Sequence, residues 1–588
     1  KEAELWMVEP RRELIARFSD QAVSLMPYSQ GGEVESEVIY VGKGKSDADY
    51  KGKNVKGKLI FAVGGGGSEV HLQAVLKRGA SGVIVGPSDR EDRLQYPDLI
   101  EVYRLSPSGE EREKTRFGFA LSRRQEKELL SLFESRKKVI MRARVEAELL
   151  DGDMPVLEAK IVGKEFPLQE IIVMGHLDHY KPGANDNASG SAGMFEMARN
   201  IMSLVEKGDI PPLKRTIRFL WLPEMHGAVA YLTEHQALKE KGICGMNLDM
   251  IGEDYALCQA NFNLTCSPYS VPGYINDVLI NLLGWLEARE FFSPRGSKYR
   301  FNFRIKPNSG GSDHVMFNDS YFSIPTPMLG HGDVFHHTSM DTPDKCDPTE
   351  MKRIISLALA TSIFLANADD EDALKIALEV YAQASLRMMQ RTQKSIRLLH
   401  QLASHSDTRN DLAELQANII NYPRLQAQIE AANLREVKEL CKASTVKIAI
   451  DELIKGLDSQ VAQENEKISS MYDLFLQRYN IDKREFRPND LYKKASSLKP
   501  KRLFKGPLTR SYLREKLDEK SFSWYEKNRE MAGESYRSKT SEIVNLMDGK
   551  RTLLDIRHIV SCEYDETDVE YVLHFAEDME KLGIIDFN

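Results

Sequence analysis

The run IIVMGHLDHYKPGANDNASGSAGMFEMARNI, starting at Ile171, constrains the fold more than any other stretch of the chain. Ile171 to Met174 read as a buried strand, and Met194, Met197 and Ile201 recur at helical spacing, so strand, polar loop and helix follow one another directly. Open α/β sheets bind ligands beyond the carboxyl ends of their strands, and His176 and Asp178 fall at that edge. Two apart in an extended segment, they point the same way, which lets the Asp178 carboxylate orient the His176 imidazole. Asp186 follows among Gly183, Asn185, Asn187, Ser189 and Gly190, just ahead of the helix. An acidic group there serves equally as a helix cap, but its companions favour a ligand.

Those companions come from three further segments. In TIRFLWLPEMHGAVAYL the apolar run Ile217 to Leu222 delivers Glu224 into a turn that ends at Gly227. CGMNLDMIGED places Asp249 at the end of a short apolar run, and FHHTSMDTPDKCDP supplies His336, His337 and Asp341. Imidazoles and carboxylates are the usual non-thiolate ligands of zinc, and a carboxylate beside a zinc-activated water is the expected general base. The set His176, Asp186, Glu224, Asp249 and His337 fits that chemistry.

In this order and with these neighbours, the segments resemble the co-catalytic zinc aminopeptidase family that includes bacterial leucyl aminopeptidases, aminopeptidase Y, glutamate carboxypeptidase II and the catalytically silent transferrin receptor. The resemblance spans roughly residues 153 to 370. It implies that His176 and Asp249 bind one zinc, that Asp186 bridges two, and that His337 binds the second. It implies Glu224 as general base and Asp178 as the carboxylate behind His176. SGGSDHVMF, from Ser309, resembles the Ser-Asp-His stretch that buttresses such sites.

One position departs from the family, which shows two adjacent glutamates, the base and then a ligand of the second zinc. Here Met225 follows Glu224, and a thioether suits copper(I) better than Zn²⁺. His226 is therefore a tentative substitute ligand, a weak or empty second site is the alternative, and one zinc with water and Glu224 suffices for hydrolysis. His179, His314, His331 and His336 are read as supporting groups rather than ligands. The implied activity is zinc-dependent removal of the amino-terminal residue of peptides; carboxypeptidase, glutaminyl cyclase and a silent scaffold are the alternatives, since pocket rather than fold decides.

The fold class is α/β, a mixed-sheet exopeptidase core sandwiched by helices, with appended domains. Residues 1–34 are read as a helical lead-in. Residues 35–148 contain KGKLIFAVGGGGSEVHLQAVLKRGASGVIVGP, a strand (Leu59 to Val63), turn, helix (Ser68 to Arg78) and strand (Gly82 to Val85), and resemble a protease-associated domain. Gly64 to Gly67 lack the spacing of a nucleotide fingerprint and read as a tight turn. From 371 to 498 the chain is helical and charged, with a stripe at Leu374, Leu378, Tyr381 and Met388 that packs within the chain or, as the rival use, forms a homodimer through these helices. KPKRLFKGPLTR opens a basic linker over 499–539, and residues 540–588 resemble a winged-helix module.

Charge limits the partners. Residues 540–588 hold four Lys and Arg against twelve Asp and Glu, and the whole chain carries a formal charge of −8, so no nucleic-acid partner is expected. No apolar run approaches the roughly 20 residues of a membrane span. Six cysteines are too few for a disulfide framework and lack metal-finger spacing. A chain beginning at Lys1 suits either export after leader removal or a cytoplasmic setting. The aromatics between Trp285 and Phe303 suit an apolar pocket or ordinary core.

Overall fold

The computed structural model describes residues 2–107, 109, 111–148, 150–405, 411–533 and 535–587. The amino-terminal domain is a seven-stranded sheet ordered Glu13–Arg17, Glu2–Glu9, Ile140–Glu146, Gly32–Tyr40, Leu59–Ala62, Gly82–Val85 and Phe117–Ala120. The last four run parallel, with the expected βαβ unit between Leu59 and Val85. Its glycine run is a turn: Gly64, Gly65 and Gly66 all have positive φ, and a Cβ on Gly65 would meet the Tyr103 hydroxyl at 2.8 Å.

The helical lead-in over 1–34 is not found. Glu2–Glu9 and Glu13–Arg17 are strands, and the first pairs antiparallel with Ile140–Glu146. The reason lies in period two: Ala3, Leu5 and Met7 alternate with Glu2, Glu4 and Trp6, so one face enters the core.

The central domain holds a second seven-stranded sheet, ordered Phe303–Lys306, Phe262–Thr265, Met328–His331, Gly242–Leu248, Phe166–His176, Arg215–Leu222 and Leu157–Ile161. It is mixed. Phe166–His176 lies parallel to both neighbours, whereas Leu157–Ile161 runs antiparallel at the edge. Both faces are covered, which explains the unbroken apolar run at 171–174. Ile171 and Val173 pack with Met194, Met197 and Ile201 of the helix Gly190–Lys207, while Ile172 and Met174 pack with Ala228, Tyr231 and Met316 on the other side.

The helical region packs onto this domain. Helices Asp370–Ser404, Tyr422–Val437 and Ser444–Tyr479 lie against one another and share the core of the helix Ile275–Glu287. The stripe is offset from the expected one. Ala373, Ile376, Ala377, Val380 and Ala384 are buried with Met388, whereas Leu378 is 50% exposed. Alanines let the helices approach closely, a signal that a search for large apolar residues passes over. Arg387 crosslinks the two regions through Asp277 at 2.6 Å and Glu430 at 2.7 Å.

The basic linker over 499–539 is also not found. Pro500–Arg502 is a strand paired antiparallel with Ile585–Phe587, and the helices Arg510–Lys516 and Glu519–Lys527 follow. Arg502, 7% exposed, places its guanidinium 3.0 Å from the Asp319 carboxylate, and Leu513 joins the carboxyl-terminal core, so the run is spent on packing. Helices Tyr536–Asn545, Leu553–Glu563 and Val569–Lys581 complete that unit.

All six cysteines are free thiols. No described helix is long and apolar enough to cross a membrane. In the aromatic segment, Phe301 stacks on Phe262 in the core, and the Arg353 guanidinium sits over Phe292 and Phe301.

Candidate metal centre

Three neighbouring strands of the central sheet end at one place. His176 closes Phe166–His176, Glu224 lies two residues past Arg215–Leu222, and Asp249 directly follows Gly242–Leu248. Ligand atoms of these three all lie within 4.8 Å of one another. The parallel register of the strands brings residues 48 and 73 positions from His176 to its side, as expected at a sheet's carboxyl edge.

A second group, His179, Asp186 and His337, meets the same 4.8 Å limit. Asp186 joins the two. Its Oδ1 lies 3.1 Å from His176 Nε2, and its Oδ2 lies 3.0 Å from His179 Nε2 and 3.3 Å from the Nε2 atoms of His336 and His337. Asp186 therefore lies between the two groups, with one carboxylate oxygen turned to each.

The flanking asparagines fix this loop. Asn187 accepts from the Met250 and Gly190 N–H groups and donates to the Leu248 carbonyl at 2.9 Å, while Asn185 accepts from Gly252 N–H at 2.8 Å. Asp341 accepts from the N–H groups of both Asn185, at 2.8 Å, and Asp186, at 3.1 Å. Asp186 is thus no helix cap, and its buried carboxylate is positioned from the backbone.

Asp178 acts differently from its expected role. The His176 ring bonds through Nδ1 to the Asp178 carbonyl at 2.8 Å, while the Asp178 carboxylate accepts from Glu224 N–H at 2.7 Å. The residue orients the imidazole with its backbone and the glutamate with its side chain. Asp313 accepts the next N–H, that of Met225, at 2.7 Å, and burial pushes its carboxyl up to about 7. His314 is buried with Nε2 donating to the Ser309 carbonyl, and Ser312 accepts from Asn247, so SGGSDHVMF does support the site.

His226, the tentative substitute ligand, stays outside both groups. Met225 adopts φ 57°, ψ −48° at the start of the helix His226–Glu234, and this turn leaves His226 exposed to solvent. Met225 itself packs against the apolar cluster of Ile172, Met174 and Leu220. Neither residue fills the missing glutamate's place. His179, read from sequence as a supporting group, stands among the candidate ligands instead, and the signal available for it was HLDH itself, two histidines three residues apart on the loop that follows the strand.

The electrostatics favour a cation at the centre. Burial opposes charge on His176, but Asp186 and Asp249 outweigh it and push its proton affinity up to about 12. Burial raises Glu224 above the usual carboxylate range, and Asp249, Asp186 and Asp178 add to the rise. For His337, burial outweighs Asp186 and depresses the imidazole, favouring the neutral ligand form. A donor set of imidazoles and carboxylates with buried negative charge fits zinc. A third group, Glu253, Cys258 and Asp333, fits less well: burial and the neighbouring carboxylates hold Glu253 and the thiol well above their ordinary ranges, so both stay protonated.

The amino-terminal domain reaches the second group directly. Arg93 donates to the carbonyls of Val334, at 2.9 Å, and His336, at 2.8 Å, and pairs with Glu101 at 3.1 Å. Val102 N–H donates to the His337 carbonyl at 2.9 Å. His337, at φ 55°, is held in the left-handed region between these contacts. Beside it, a cleft of about 1040 Å³ is lined by Phe18, Met26, Tyr28, Val102, His179 and Tyr180 among others.

The chain is similar to known proteins. Carboxypeptidase Q of Xenopus laevis is 33% identical over 257 residues, covering 42% of this chain and 50% of its own. Aminopeptidase YwaD of Bacillus subtilis is 25% identical over 227 residues, covering 37% and 45%. The chain spans about half the length of the curated relatives it matches. Among solved structures, BSAP, a zinc aminopeptidase from Bacillus subtilis, is 18% identical with a TM-score of 0.45, covering 61% of this chain and 80% of its own. Residues 157–362, the segment that carries both histidine and carboxylate groups, match the model of peptidase family M28.

Proposed function

We propose that this chain is a zinc-dependent exopeptidase, specifically an aminopeptidase, with His176, Asp186, Asp249 and His337 as metal ligands and Glu224 as general base. The observation that carries this is the meeting of two ligand groups at Asp186, with Glu224 beside the first of them. Bound zinc supplies the Lewis acidity that polarises a peptide carbonyl and makes water nucleophilic near neutral pH.

The chain's own residues supply the rest. Glu224, raised by burial, accepts a proton from the attacking water and returns it to the leaving amine. Asp178 fixes the glutamate's backbone for both transfers. The carboxylates of Asp178, Asp186, Glu224, Asp249 and Asp341 make the surroundings negative, which suits the α-ammonium of a peptide amino terminus. The cleft against the amino-terminal domain gives a peptide side chain apolar walls at Phe18, Met26 and Tyr180.

The carboxypeptidase relatives favour a second reading, removal of the carboxyl-terminal residue. One experiment separates the two. The zinc-supplemented protein is incubated with a peptide pool, with and without chelator, and products are followed by mass spectrometry. Chelator-sensitive loss of single amino-terminal residues supports the aminopeptidase, and loss from the other end supports the carboxypeptidase. Cyclised amino-terminal glutamine assigns a glutaminyl cyclase instead, and no product at all turns the chain into a scaffold.

A further inference from the structure

Loss of the second glutamate leaves a specific gap. With Met225 packed into the apolar cluster and His226 facing solvent, the second metal position keeps only Asp186 and His337 from the inherited set. Two protein ligands are too few, because structural and catalytic zinc sites use at least three.

His179 meets each requirement for the third. Its Nε2 lies 3.0 Å from Asp186 Oδ2 and within 4.8 Å of the His337 ligand atom. Its Nδ1 lies 2.8 Å from the Tyr180 carbonyl, an acceptor, so Nδ1 carries a proton and Nε2 is the nitrogen turned to Asp186 and free to bind a metal in the neutral ring. That Nε2 is buried, on a side chain only 10% exposed, and faces the Asp186 carboxylate. A proton on Nε2 or a metal ion between the two groups would each satisfy this contact, and the Nε2 of His337 faces the same oxygen from 3.3 Å. His336 also approaches Asp186, but its side chain is 39% exposed and its ring lies against that of His337, 3.8 Å between centroids.

Resting on the metallopeptidase reading above, we propose that His179 takes the ligand place lost at Met225, so that the second metal is held by His179, Asp186 and His337. The replacement moves the third ligand from the turn after one strand to the loop after its neighbour, and exchanges a carboxylate for an imidazole. The set becomes richer in nitrogen, which suits zinc, cobalt and nickel and disfavours magnesium, calcium and manganese.

The test is metal content of the full chain, stripped with chelator, reloaded with zinc alone and freed of excess by dialysis. The wild type is expected to hold two ions per chain, His179→Ala and the bulkier His179→Gln one, and His336→Ala two. Cobalt titration gives a second readout, as the absorption that grows in with the second equivalent should vanish in both His179 variants and persist in His336→Ala. Thermal unfolding of the zinc-free proteins identifies any variant that fails to fold, and two substitutions of different size guard against that outcome. If both folded His179 variants retain two ions, or His336→Ala is the variant that drops to one, the assignment is overturned. A wild type that holds one ion, unchanged in the His179 variants, overturns it too while leaving a one-metal hydrolase intact. A wild type that holds none overturns both this assignment and the proposed activity.

Discussion

The two halves of the candidate centre are built in different ways. His176, Glu224 and Asp249 stand at the ends of three adjacent strands of one sheet, so the same hydrogen-bond register that makes the sheet also sets their spacing. His179, Asp186 and His337 stand on loops, and their positions come from side-chain and interdomain contacts: Asp341 and the asparagines around Asp186, and Arg93 and Val102 of the amino-terminal domain around His337. A site founded on strands is as rigid as its sheet. One founded on loops is only as firm as the contacts that hold them, and is freer to exchange a ligand.

The largest expected effect tests the strand-built half. Glu224→Gln keeps the shape of the side chain but removes the proposed base, and should lower kcat by about 10²- to 10⁴-fold, the usual contribution of general base catalysis. Zinc content and thermal stability should stay at the wild-type level. A variant retaining more than a tenth of the wild-type rate would assign the proton transfer to another group.

Arg93→Ala tests the loop-built half from a distance. The Arg93–Glu101 pair is nearly dry, at 9% and 5% exposure, and removing one partner of such a pair costs about 3–5 kcal/mol. The same change releases the carbonyls of Val334 and His336. Zinc titration should show weakened affinity for one ion, with the other unaffected. Equal loss at both would mean that the two halves are not separately supported.

Acid should strike the same support. His71 lies buried in the amino-terminal domain, accepts the Arg116 N–H at Nε2, and is pushed down by burial to about 4 from 6.5. Below 6.5 the unfolded chain binds a proton that the folded one refuses, so stability present above that pH is lost as pH falls toward 4, by up to about 3 kcal/mol. His71→Gln, which keeps an acceptor for Arg116, should flatten the decline of the unfolding temperature over this window. An unchanged slope would move the acid sensitivity elsewhere.

The same contrast decides what the sequence discloses. Ile171 to Met174 and Ile217 to Leu222 are long enough apolar runs to identify buried strands, and His176 and Glu224 follow from where those strands end, as Asp249 does from the shorter run before it. For His179 the pair of histidines in HLDH marks a candidate, but its place beside Asp186 follows from contacts remote in sequence. The strand at Glu2–Glu9 was legible in its alternation of apolar and polar residues, which a helical reading of 1–34 does not use. The folded run at 499–539 was hidden: the partner that buries Arg502 is Asp319, far away in the chain.

Met225→Leu carries the smallest expected effect and bears most directly on how the second half was rebuilt. If the thioether took any part in holding metal, its loss would change zinc content or the metal preference. The structure gives the side chain another task, packing with Ile172, Met174 and Leu220, and the N–H bond to Asp313 belongs to the backbone and survives substitution. Leucine has nearly the same volume, so the expected cost is less than about 1.5 kcal/mol. Two zinc ions and an unchanged kcat in this variant would show that the lost glutamate was replaced from another loop, and not by the residue that now stands in its place.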